Sequence, residues 1–100
     1  MCGITGIWYF DNRPVDLQNF QKFTNSLSHR GPDGYGIWLN NRKNVALGHR
    51  RLAILDLTEN AKQPMLYNNR FVITYNGEIY NFIEIREELV KKGYSFNSDS

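Results

Sequence analysis

The residue best placed for covalent chemistry in this sequence is Cys2. A thiol is a strong nucleophile, but only a few per cent of it is thiolate near neutral pH, so it needs a base or an electropositive neighbour. Cys2 is small enough that removal of Met1 is expected. That step would turn its backbone nitrogen into a free amine titrating near about 8. Nucleophile and base would then belong to one residue, as in N-terminal threonine systems. Position alone favours a small apolar residue that starts a strand over a nucleophile. Gly3 beside it leaves the backbone open, and the β-prone run that follows would fix Cys2 at a sheet end.

Other residues are suited to binding charge. Arg50 and Arg51 each offer a planar guanidinium that can hold a carboxylate through two parallel hydrogen bonds. On an extended chain they face opposite sides, so only one would reach a given site, and spacing does not choose between them. An ammonium group needs an anion, but each Asp and Glu by itself reads as a solvated surface charge. Asn76-Gly77 pairs a side-chain amide with a backbone N–H, a combination that stabilises a developing oxyanion, where one donor is worth about 3–4 kcal/mol. The same dipeptide is the strongest type I′ hairpin signal. The helical pattern after Gly77, with Asn81 as a candidate cap, weakens the hairpin reading. A free imidazole titrates near neutrality, but His29 and His49 both lie in Arg- and Gly-containing motifs and no catalytic role is assigned to them. There is no metal-ligand spacing of Cys and His and no glycine-rich phosphate loop.

The elements that must position these residues follow from pattern. Gly3 to Phe10 reads as a strand, stopped by Asp11-Asn12-Arg13-Pro14. Leu17, Phe20, Phe23 or Thr24, and Leu27 form one face of a helix, with Asp16 as N-cap. Gly31-Pro32-Asp33-Gly34 is an irregular loop. Gly36–Leu39 and Asn44–Leu47 are strands joined by a turn at residues 40–43. Arg51–Leu57 continues extended, and Thr58–Pro64 is polar loop. Phe71–Tyr75 is a strand, and Phe82, Ile85, Leu89 and Val90 define a second helix closed by Lys91-Lys92-Gly93. Tyr94–Phe96 begins another strand. Without regular βαβ alternation, the expected class is α+β with an antiparallel sheet.

Bulk properties narrow the setting. One hundred residues suit one domain; 41% apolar and 22% charged residues are ordinary for a globular chain. Twelve Lys and Arg against ten Asp and Glu, spread along the chain, argue against a nucleic-acid surface. A single Cys without an export signal points to a reducing, cytoplasmic compartment. No apolar stretch approaches the roughly 20 residues of a membrane helix.

Four segments carry a resemblance: Met1-Cys2-Gly3-Ile4, HRGPDG at residues 29–34, HRRL at 49–52 and YNGEIYN at 75–81. In this order, across essentially all of the chain, they closely resemble the glutaminase domain of asparagine synthetases, a class II glutamine amidotransferase among the N-terminal-nucleophile hydrolases. Sister amidotransferases also begin with Cys-Gly but differ at Pro32-Asp33 and lack the Glu-Ile-Tyr-Asn continuation. The resemblance implies an αββα sandwich with mainly antiparallel sheets, apparently truncated on its C-terminal side, with residues 1–100 forming the N-terminal part of the glutaminase domain. It implies hydrolysis of the glutamine side-chain amide to glutamate and ammonia through a thioester on Cys2. Asn76 and Gly77 would form the oxyanion hole, Arg51 would bind the α-carboxylate, and Glu78 and Asp99 would bind the α-ammonium. After this Asp the family usually has Thr-Glu, whereas only Ser100 follows here. Asp33 and its neighbours would shape a loop near the pocket. The ammonia would pass to an ATP- and Mg²⁺-dependent synthetase domain absent from this chain, which itself holds no cofactor; a homodimer is left open. A related synthetase with another acceptor, or a non-catalytic regulatory domain of the same fold, remains an alternative.

Overall fold

A computed structural model describes residues 2–52 and 61–96. Its elements run β1 (Gly3–Trp8), α1 (Leu17–Asn25), β2 (Gly34–Leu39), β3 (Val45–Arg51), β4 (Met65–Tyr67), β5 (Phe71–Ile73) and α2 (Phe82–Lys91). Every described strand pair is antiparallel, so the chain is a mixed α+β structure. One sheet has the order β1-β3-β2, and β4 pairs with β5 in a second.

Alternation along the three-stranded sheet separates its two faces. Gly3, Thr5, Ala46, Gly48 and Arg50 face α1. Thr5 and Thr24 share a hydroxyl–hydroxyl hydrogen bond of 2.7 Å, fully buried between β1 and α1. A Cβ at Gly48 would stand 2.5 Å from the Thr24 hydroxyl oxygen, so the helix sits this close only because residue 48 has no side chain. Val15, Phe20 and Ala46 form the core, with Ile7, Tyr9, Ile37 and Leu39 packed around it. The second face is crossed by the Gln63–Pro64 stretch, which passes directly over Gly36.

Local signals explain most boundaries. Asp16 caps α1 by accepting from the Asn19 backbone N–H at 3.2 Å. Thr24, not Phe23, completes the buried stripe of α1, and Phe23 is exposed. The β2–β3 turn has Lys43 N–H donating to the Asn40 carbonyl at 3.0 Å, and the Asn40 side chain accepts from both Asn44 and Val45 N–H at 3.0 Å. α2 ends in a Schellman motif: Tyr94 N–H donates to Leu89 and Gly93 N–H to Val90, each at 3.0 Å, with Gly93 at φ +97°.

Several expectations need correction. β1 stops at Trp8, two residues short of Phe10. β2 begins at Gly34, and β3 runs without a break from Val45 to Arg51, because antiparallel pairing on both sides carries it past Leu47. Leu27 lies beyond α1, in the turn that follows it. β5 ends at Ile73, and β4 is an additional strand. The β4–β5 hairpin turns at Asn68-Asn69, both at φ 53°, with Arg70 N–H donating to the Tyr67 carbonyl at 3.0 Å, as in a type I′ turn. Tyr94–Phe96 is not a strand, since the helix cap draws Tyr94 back onto Leu89. Asn81 occupies the N-cap position of α2, but its side chain makes no capping bond. Of the extended run predicted over Arg51–Leu57, residues 53–57 fall outside the described residues, as do residues 58–60 of the loop after it.

Candidate active site

The site is built at the start of β1 and the end of β3. The register sets Gly3 opposite Arg50; one step further, Cys2 stands opposite Arg51, and both face the side away from α1. The Cys2 thiol is half-buried and unoxidised. Its Sγ accepts the Leu52 backbone N–H at 3.2 Å. The Arg30 Nε–H donates to the Cys2 carbonyl at 3.0 Å, which ties the Cys2 backbone to the loop after α1.

The two neighbouring arginines have separate surroundings. Arg50 turns to the α1 face, donating from Nε to the Gly31 carbonyl at 2.9 Å and from Nη1 to Asn25 Oδ1 at 3.0 Å, with its guanidinium 5.8 Å from the Tyr35 ring centre. Arg51 lies on the Cys2 face and lines a small cavity of about 80 Å³ with Asp33, Gly34, Tyr35, Lys62 and Gln63. Asp33 N–H donates to the Arg51 carbonyl at 2.9 Å, so the HRGPDG loop forms one wall beside it. A larger groove of about 540 Å³ follows the outer edge of β2, lined by Leu17, Gln21 and Lys62 among others. Cys2 is not among its lining residues.

The segment leading into Asn76 crosses the same face. Tyr75 N–H donates to Gln63 Oε1 at 2.6 Å, and the Thr74 hydroxyl donates to the Gly48 carbonyl at 3.2 Å. His49 Nε2 stands 3.2 Å from the Tyr75 carbonyl. The ring is 2% exposed, and its Nδ1 has no partner among the described residues. Burial pushes its pKa below the usual imidazole value, the Tyr75 bond opposes that shift, and the Arg51 charge adds to it. A type I′ turn at Asn76-Gly77 would need positive φ at both positions. Neither has it, and Tyr75 packs its hydroxyl against Gly77.

Cys2 and Arg51 are thus brought to one end of one sheet face. Asn76 is half-buried, and Gly77 and Glu78 are exposed. Among the described residues, the hydrogen bonds of Cys2 run to Leu52 and Arg30, not to Asn76, Gly77 or Glu78. Asp99 lies outside the described residues. Sequence reasoning missed Arg30, Thr74 and Gln63, whose contacts depend on tertiary placement, and it gave His49 no role although a His inside a β-prone run was a signal of burial.

Residues 1–100 match the family model described as a glutamine amidotransferase domain. The chain belongs to this family. This glutamine amidotransferase domain is 43% identical over 105 residues to a putative glutamine-hydrolysing asparagine synthetase 2 of Methanocaldococcus jannaschii, covering 88% of the chain and 20% of that protein. It is 44% identical over 106 residues to asparagine synthetase 1 of Bacillus subtilis, with 100% of the chain and 16% of the relative covered. Asparagine synthetase B of Escherichia coli is 37% identical over 103 residues, covering 100% of the chain and 18% of its own length. The amidotransferase domain therefore matches the N-terminal part of asparagine synthetases and spans a fifth or less of the length of these relatives. No solved structure matches it significantly.

Proposed function

We propose that this domain hydrolyses the side-chain amide of glutamine, and that its ammonia serves ATP-dependent asparagine synthesis from aspartate. The observation that carries the reading is the Cys2 thiol at an open strand end, held by Leu52 N–H and set opposite Arg51. In the proposed reaction the free α-amine of Cys2 takes the thiol proton and Sγ attacks the amide carbon. The Asn76 amide and Gly77 N–H stabilise the oxyanion. The proton passes to the leaving nitrogen, ammonia departs, and a γ-glutamyl thioester remains. Water hydrolyses the thioester to glutamate and restores the thiol. Arg51 holds the α-carboxylate while Glu78 and Asp99 hold the α-ammonium.

The family match supports an αββα sandwich of the N-terminal-nucleophile type for the complete domain. The names of the relatives support asparagine as the product made with the ammonia; ATP and Mg²⁺ would serve the synthetase part. The described residues offer no cluster of three His, Cys, Asp or Glu side chains to hold a metal ion. No helix among them is long and apolar enough to cross a membrane, and the single Cys supports a reducing, cytoplasmic setting.

The test is stoichiometry with intact mass. Purified protein given glutamine should release glutamate and ammonia in equal amounts, and its mass should show Met1 removed. Absence of glutamate release would overturn the reading, and an active protein retaining Met1 would overturn the amine as base.

A further inference from the structure

Among the described residues, His49 is the one buried titratable side chain that the proposed reaction does not use. Its bond to the Tyr75 carbonyl fixes its tautomer, because a carbonyl can only accept and Nε2 must carry the hydrogen. Nδ1 then presents a lone pair, and it is buried without a partner among the described residues. Protonation would add a second buried donor with no acceptor, on the face that also carries Arg51. The ring is therefore a neutral, fixed donor and not a base.

The carbonyl it holds belongs to the peptide bond joining Tyr75 to Asn76. The segment has little else to locate it: α2 has no buried residue, and β5 exposes Phe71 and Ile73. Its placement over β3 rests on polar contacts, namely Thr74 on Gly48, Tyr75 on Gln63, and His49 on Tyr75. Of these, the His49 bond alone grips the peptide plane that sets the direction of Asn76, and it comes from the strand that carries Arg51 and backs Cys2.

We propose that His49 is a positioning residue, whose Nε2–H fixes the Tyr75–Asn76 peptide so that Asn76 and Gly77 aim their donors at the oxygen of the amide attacked by Cys2. The inference rests on the amide-hydrolysis reading. Displacement of an active group by about 1 Å can cost about 100-fold in rate, so the effect falls on kcat.

The test compares His49→Gln, which keeps an amide N–H near the position of Nε2, with His49→Met, which matches Gln in shape and has no donor. The Met variant should lose about 100-fold in kcat for glutamine hydrolysis with KM within about twofold, while Gln stays within about fivefold of the parent. Alkylation of Cys2 by iodoacetamide should keep its rate in both. In an Asn76→Ala background, His49→Met should lower kcat by much less than about 100-fold, because only its effect through the Gly77 N–H is left. A folded Met variant with parental kcat, a Gln variant no better than Met, or full additivity with Asn76→Ala would overturn the proposal. If the Met variant does not fold, His49→Asn, whose amide stops short of the Tyr75 carbonyl, takes its place with the same expectations. Cys2-dependent hydrolysis without this pattern removes His49 alone; no Cys2-dependent hydrolysis in the parent removes the underlying reading and this proposal together.

Discussion

Replacing Arg50 and Arg51 separately by Met should produce two different defects from adjacent positions. Arg50 donates to the half-buried Gly31 carbonyl and to Asn25, tying the loop after α1 to β3. A hydrogen bond from a charged donor contributes about 1.5–3 kcal/mol, and the exposed Asn25 bond adds less. Arg50→Met should therefore cost about 2 kcal/mol, lowering Tm by about 10 °C in a domain of this size. Arg51 borders the cavity on the Cys2 face. Losing a guanidinium–carboxylate contact of about 1.5–3 kcal/mol should raise the glutamine KM by about 10- to 100-fold with little change in kcat. Thermal unfolding by circular dichroism and a glutamate-release assay read the two effects independently. The division of roles is refuted if Arg51→Met leaves KM within twofold, or if Arg50→Met raises KM as much as Arg51→Met without lowering Tm.

Gly48→Ala should destabilise the protein by about 1–3 kcal/mol, measured by urea unfolding, because the new methyl meets the buried Thr5–Thr24 hydroxyl pair. Asp16→Ala should cost about 1 kcal/mol in the same assay through loss of the α1 cap. His49 sets a pH dependence of known sign. Its folded pKa lies below 6.5 through burial and the facing Arg51 charge, so the unfolded chain takes up the proton first. Stability from neutral His49 is complete above about 6.5 and is lost as pH falls through the folded value. The urea midpoint of the parent should fall more steeply from pH 7 to pH 5 than that of His49→Gln, and parallel curves would contradict this.

Where the sequence was readable, a local physical signal decided the outcome. Asp16, the turn at Asn40–Lys43 and the Lys-Lys-Gly ending of α2 each act within a few residues, and each forms as expected. The alternation that sends Arg50 and Arg51 to opposite faces was equally legible. Which face carries Cys2 was not, because that depends on the β1–β3 register. Tyr94–Phe96 misled because Tyr-Ser-Phe alternates like a strand, whereas the Schellman bonds of α2 override so short a pattern. β4 escaped notice because three residues before an Asn-Asn turn give too little periodicity. Thr74, Gln63 and His49 have no local signature: their bonds join residues 12 to 26 positions apart.

The most direct test of the central claim is glutamine hydrolysis by Cys2→Ala, measured as glutamate release beside the parent protein. The variant should fold normally, since among the described residues the thiol's hydrogen bonds run only to Leu52, and its hydrolysis should fall to background. Hydrolysis at the parental rate in Cys2→Ala would contradict the assignment of Cys2 as the nucleophile.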